Sequence, residues 1–158
     1  MTDTVTLREV IESDLPIFFT HQQDSEAAYM AAFTPKNRTD WDAFSRHWTM
    51  IRNADSIKKT ILANGEVAGH ILQFELMGDP VVGYWIGRQY WGRGIATQTL
   101  TLLLDIVSVR PLYAMVAADN IRSRRVLEKC GFTMQGSERS YANERQEIIE
   151  ELIFKREA

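Results

Sequence analysis

The sequence predicts a mixed α/β fold: a mostly antiparallel sheet, with one parallel pair of strands, flanked by about four helices. Three observations carry this. Strand-like and helix-periodic runs follow one another in the order β-α-α-β-β-β-α-β-α-β-β, which is not a doubly wound repeat. The helical runs that open after Gly94 and at Asn120 stand between strands, so parallel pairing is confined to the neighbourhood of residues 81–86 and 112–117. Asn64-Gly65 between two apolar runs is a strong hairpin signal, and two further strands close the chain.

Each element has its own cause. Val5 to Glu9 alternates and reads as an opening strand. Ser13 or Asp14 is a cap for a short helix with Pro16 in its first turn. Ala27 to Arg38 is a mixed stretch without a clear period. Trp41, Phe44, Trp48 and Ile51 fall at helical spacing, and Thr39 with Asp42 three residues on resembles a capping box. Strands follow over Ile57 to Ala63 and Glu66 to Leu76, then a turn at Gly78-Asp79-Pro80, then a strand over Val81 to Ile86. A helix from Ile95 to Val109 should bury Ile95, Thr99, Leu102, Leu103 and Ile106, and Pro111 stops it. Leu112 to Ala117 is a short buried strand, and the helix after Asp119 or Asn120 ends at Gly131. The closing strands run from Thr133 to Tyr141 and from Gln146 to Phe154.

Bulk properties narrow the function classes. A chain of 158 residues suits one domain, read as 1–158, with a real core. Hydrophobic residues make up 45% and charged residues 25%, an ordinary globular balance. A net charge of −3 gives no electrostatic case for nucleic acid. No basic and apolar leader opens the chain, and no apolar run approaches the ~20 residues of a membrane span. The single cysteine, Cys130, excludes an intrachain disulfide framework and fits a reducing cytoplasm. His21, His47 and His70 lie on different elements without metal-ligand spacing, so no metal is expected.

The most informative segment is Arg88-Gln-Tyr-Trp-Gly-Arg-Gly-Ile-Ala-Thr97. A strand feeds a turn with two glycines, and the turn opens a helix. Gly92 and Gly94 are free to take positive φ and bring bare backbone to a ligand. The first amides of a helix have no internal partners and carry partial positive charge, which makes an anion site. No Gly-Lys-Ser/Thr follows, so this is not a P-loop. Thr97 stands where the dinucleotide fingerprint needs its third glycine. Two glycines alone fit a structural turn equally well.

The pattern Gln89-x-x-Gly92-x-Gly94-x-Ala96 is similar to the acyl-coenzyme A pyrophosphate loop of the GNAT superfamily of N-acetyltransferases. Asn120-x-x-Ser123, followed by Val126-Leu-Glu-Lys-Cys-Gly-Phe132, resembles the other half of that cofactor site. The wording of both motifs resembles the RimJ/RimL-like branch, which acetylates ribosomal-protein N-termini. The resemblance spans about the last two thirds of the chain. It implies a sheet whose two parallel strands splay apart at the centre, with the pantetheine arm of acetyl-coenzyme A in the gap. It also implies an amine acceptor, either a protein N-terminus or a small amine, and admits a homodimer.

The residues implied to hold the cofactor are Trp85, Ile86, Gly87, Gln89, Trp91, Gly92, Arg93, Gly94, Ile95, Ala96, Thr97, Asn120 and Ser123. Strand amides near Trp85 to Gly87 would pair with pantetheine and hold the thioester oxygen. Arg88 and Arg93 would add charged contacts, or be merely solvated. Asn120 also suits a plain N-cap. Ser123 shares an inward face with Val126, Leu127 and Cys130, so its hydroxyl needs a partner. That partner is either the carbonyl four residues before it or the departing coenzyme A thiolate. Relatives with a tyrosine acid carry it where this chain has Leu127, which shifts weight to Ser123. Arg122, Arg125 and Lys129 read as a solvated outer face, with the cofactor's 3′-phosphate end as their functional alternative. Val81 and Val82 occupy positions where relatives place an acidic base. Tyr141, Glu75, His70, Glu138 or a bound water remain for that role. Cys130, at a helix C-terminus where a thiolate is disfavoured, reads as packing. The weak case for a base keeps a second reading open, a non-catalytic acyl-coenzyme A sensor. A nucleotide would fit the loop but leaves Asn120-x-x-Ser123 unexplained.

Overall fold

A computed structural model describes residues 3–158. The elements are β1 (Val5–Glu9), α1 (Leu15–Gln22), α2 (Ser25–Ala31), α3 (Trp41–Asn53), β2 (Ile57–Ala63), β3 (Glu66–Leu76), β4 (Asp79–Ile86), α4 (Ile95–Ile106), β5 (Leu112–Ala117), α5 (Ile121–Lys129), β6 (Thr133–Ala142) and β7 (Glu147–Arg156). The strands form one seven-stranded sheet in the order β1-β2-β3-β4-β5-β7-β6. Every neighbouring pair is antiparallel except β4 and β5. These two meet in parallel at Val81 and Tyr113 alone and then diverge. The splayed parallel pair expected at the centre of the sheet is therefore present.

Helices cover both faces. One core packs α4 and α5 on the sheet, with Ile95, Leu100, Leu103 and Leu127 against Ile61, Ile71, Val82, Leu112, Val116 and Phe154. The other packs α1 and α3 on β3, with Phe18, Phe44 and Trp48 beside Val67 and Leu72. Ile71 and Leu72 sit in different cores because successive strand residues point to opposite faces. Gly69 lies where β2 and β3 shift register, and a Cβ there would stand 2.0 Å from the Trp85 carbonyl oxygen.

Several local expectations need correction. The mixed stretch contains a fifth helix, α2, capped by Asp24, whose carboxylate accepts from the Ala27 amide at 2.9 Å. Seven residues are too few to display a period. Asp40, not Thr39, caps α3, accepting from the Asp42 and Ala43 amides. Neither Ser13 nor Asp14 caps α1 with its side chain. Asp14 is buried and accepts from Arg8, the Ile11 amide and Thr60. Burial opposes its ionisation, but those hydrogen bonds win and hold its carboxyl below the usual range. The β3–β4 turn falls at Met77-Gly78, and Asp79 and Pro80 already pair with β3. Helix α4 stops at Ile106, which is 50% exposed, because Val107 turns extended and Arg110 donates to the Leu104 and Val107 carbonyls. Gly131, at φ +87°, ends α5 as expected.

Candidate active site

The divergence of β4 from β5 opens a cleft of about 590 Å³. Past Ile86 the chain makes one tight turn at Arg88–Tyr90 and reaches the glycine loop. Gly92 and Gly94 have φ of +73° and +77°, and space for a Cβ is open at both. Their role is therefore conformational: they turn the chain so that α4 starts with its amides facing the cleft. Gly94 is the N-cap and brings no side chain to occupy those amides. The Trp91 indole donates to the Ile86 carbonyl at 2.9 Å and fixes the loop to the strand end.

Most of the expected residues meet here. Trp85, Ile86, Trp91, Gly92, Gly94, Ile95, Ala96, Thr97, Asn120 and Ser123 line this one cleft. Three do not. Gly87 is packed against His21, and a Cβ on it would stand 2.7 Å from Nε2 of that histidine. Gln89 is exposed and outside the lining. Arg93 turns away, paired with Asp3 and stacked on Tyr90. Arg88 is likewise held by Asp24 and Glu26. The loop's own arginines are thus committed to the protein. Positive charge comes instead from Arg122, Arg125 and Lys129, which are exposed as expected and also line the cleft. They share the stripe of α5 that borders its inward face, and this stripe overlooks the cleft mouth. Arg122 lies 5.0 Å from the Trp91 ring.

Asn120 caps α5 through the Ser123 amide and donates to the Met30 carbonyl, each at 3.4 Å, while lining the cleft. Ser123 does not bond back to the carbonyl four residues before it. Its Oγ accepts from the Tyr84 hydroxyl at 3.4 Å. Burial pushes the Tyr84 phenol above its ordinary value, so it remains a donor. Among the described residues Ser123 has no acceptor for its own proton. Tyr84 is the cleft-lining side chain that sequence reading misses. Its strand position is legible, but its contact with α5 depends on the distance between two elements.

Tyr141 is 56% exposed on β6 and lines no part of the cleft. Glu75 and Glu138 are also exposed and remote from it. Cys130 is buried with its sulfur 3.7 Å from the Thr97 carbonyl oxygen, and burial raises its thiol pKa. That is packing, as expected.

A second cavity of about 650 Å³ lies between α1, α3, the 32–40 connection and the β3–β4 surface. It shares Ala31 and Trp85 with the first. His70 lines it, with its ring 4.8 Å from Phe18 and 4.9 Å from Trp48. Burial, with smaller contributions from His21 and His47, pushes His70 down to about 3. His70 is therefore neutral and too weak a base to take a proton from an ammonium near pH 7.

A splayed parallel pair, a glycine loop at a helix N-terminus and a capped Asn-x-x-Ser helix on one cleft define an acyl-transfer fold. Residues 4–133 match the family model of the acetyltransferase (GNAT) domain. The chain belongs to the GNAT acetyltransferases. It is similar to the uncharacterized N-acetyltransferase p20 of Bacillus licheniformis, 23% identical over 97% of this chain and 92% of that protein. Its fold is similar to RimL, the ribosomal L7/L12 alpha-N-protein acetyltransferase, solved in complex with coenzyme A, at a TM-score of 0.82 and 20% identity over 98% of this chain and 94% of that one. It also resembles Mycobacterium smegmatis RimJ in complex with a coenzyme A disulfide, at a TM-score of 0.77 and 23% identity over 98% and 82% of the chains.

Proposed function

We propose that this chain transfers an acetyl group from acetyl-coenzyme A to a primary amine, on a protein N-terminus or a small molecule, by direct attack in a ternary complex. The observation that supports this most is the convergence of α4 amides that no side chain caps, the diverging strand β4 and Ser123 on one cleft. The amides at residues 95–97 would take the pyrophosphate, with Arg122, Arg125 and Lys129 toward the nucleotide end. Beyond Val81, β4 has lost its parallel neighbour, and its backbone groups would pair with pantetheine amides. One strand amide would hold the thioester oxygen as negative charge develops on it. The Ser123 proton would pass to the departing thiolate, with its oxygen beside the Tyr84 hydroxyl, as solvent water returns to Ser123 the equivalent of the proton lost by the ammonium. The acceptor would enter through the second cavity and reach the thioester beside Trp85. Every carboxylate lining either cavity is ion-paired: Glu26 with Arg88, and Asp119 with Arg145. The proton lost by the ammonium would therefore leave through water.

The lack of a free carboxylate also favours a second reading, a domain that binds acyl-coenzyme A without turnover. Thiol release from acetyl-coenzyme A against a panel of primary amines separates the two. Transfer predicts amine-dependent release, with lines that intersect when both substrates are varied. Tight coenzyme A binding without release on any amine would establish the sensor instead.

A further inference from the structure

We propose that the second cavity selects an acceptor of negative charge: a small primary amine with an apolar or aromatic body and a carboxylate, as in a large α-amino acid. This rests on the transferase reading and deepens it.

The charge around the cavity runs in one direction. Among the described residues no aspartate or glutamate lines it, whereas Arg38 and Arg46 do. Arg38 is neutralised by Glu144 at 2.6 Å. Among the described residues Arg46 makes no ion pair, and it is exposed at the rim. The floor is apolar and aromatic, with Phe44, Trp48, Leu72 and Trp85. The buried Trp85 Nε1–H has no acceptor in the protein, and neither does the buried His70 Nδ1 find a partner. A polycation would meet arginine where it needs carboxylate. The cavity wall is also fixed. Arg38 and Thr34 both bond to Glu144, Asn143 donates to the Thr34 carbonyl, and Gln22 and Gln23 both donate to the Arg38 carbonyl. A preformed wall lowers the ordering cost of seating a compact ligand.

The test compares an aromatic α-amino acid, its carboxamide and a polyamine as acceptors for the full chain with acetyl-coenzyme A, with rates corrected for the fraction of free amine. The acid should exceed the carboxamide several-fold in kcat/KM, and the polyamine should be poorest. Arg46→Glu should move the acid-to-carboxamide ratio by about tenfold toward the carboxamide, the scale of reversing one exposed charge. The same acid should quench tryptophan fluorescence of the coenzyme A-saturated protein, because Trp48 and Trp85 line the cavity. An unchanged ratio in Arg46→Glu, or a preference for the polyamine, overturns this inference and leaves the transferase reading intact. No release on any amine, with the fluorescence preference retained, overturns the transferase reading alone. Silence in both assays overturns both.

Discussion

At the scale of single residues, the site turns on a hydroxyl pair. The Tyr84 and Ser123 hydroxyl oxygens stand 3.4 Å apart, and both side chains line the cleft. Ser123→Ala should lower turnover by about 10²-fold, the lower end for a general acid, because a thiolate leaves readily. Acetyl-coenzyme A affinity should hardly change. Tyr84→Phe should cost less, about threefold to tenfold, because it frees the serine rotor without removing the proton. Turnover numbers read beside a calorimetric dissociation constant and a melting temperature check both. Equal activity in the two variants and the parent would reduce the pair to packing. Ser123 was legible because its spacing with Val126, Leu127 and Cys130 places it inward. Tyr84 was not, since strand alternation gives its face but not its partner across to α5. Arg93 shows the opposite failure: its position suggested an anion contact, and a distant residue, Asp3, claims it.

Among the elements, the strands were the easiest to read. Asn64-Gly65 placed β2 and β3 to the residue, because a two-residue turn fixes both ends at once. Helix α2 is illegible because its seven residues, about two turns, show no stripe, and α4 ends three residues before the apolar pattern does because Ile106 continues a pattern that burial does not. The glycine loop was read correctly as a conformational device. Gly94→Asp tests it: positive φ costs about 1–2 kcal/mol for a side-chain-bearing residue, and the carboxylate would repel a pyrophosphate at the helix terminus. Calorimetric titration should show acetyl-coenzyme A affinity at least tenfold weaker in a variant that still folds. Gly69→Ala makes a different demand. Its Cβ would collide with the Trp85 backbone, so β3 and β4 must separate, at a cost of about 1–3 kcal/mol that thermal melting would report.

For the whole molecule, buried histidines set the acid limit. His70 is held down to about 3 and His21 below its ordinary value, both by burial. Between these folded values and about 6.5 the unfolded chain binds more protons than the native one, so stability must fall as pH drops. From pH 6.5 to 5, His70 alone accounts for about 2 kcal/mol, at 1.36 kcal/mol per unit. Melting temperature should decline over that range, and His70→Phe should flatten the decline. Below the carboxylate range Asp14 adds to the loss, as its Arg8, Ile11 and Thr60 bonds give way.

The two cavities share Ala31 and Trp85, and their other walls are different residues. The cleft beside the glycine loop is walled by residues 84–129 and by Glu26, Ala27, Met30 and Ala31 of α2, whereas all of the other cavity except Trp85 comes from residues 22–72. Substitutions in distant, unshared walls combine almost additively. Substitutions in α3 and the 32–40 connection should therefore reshape the second cavity while leaving the affinity for acetyl-coenzyme A nearly unchanged. Ala31 and Trp85 are the two walls that neither cavity can change alone.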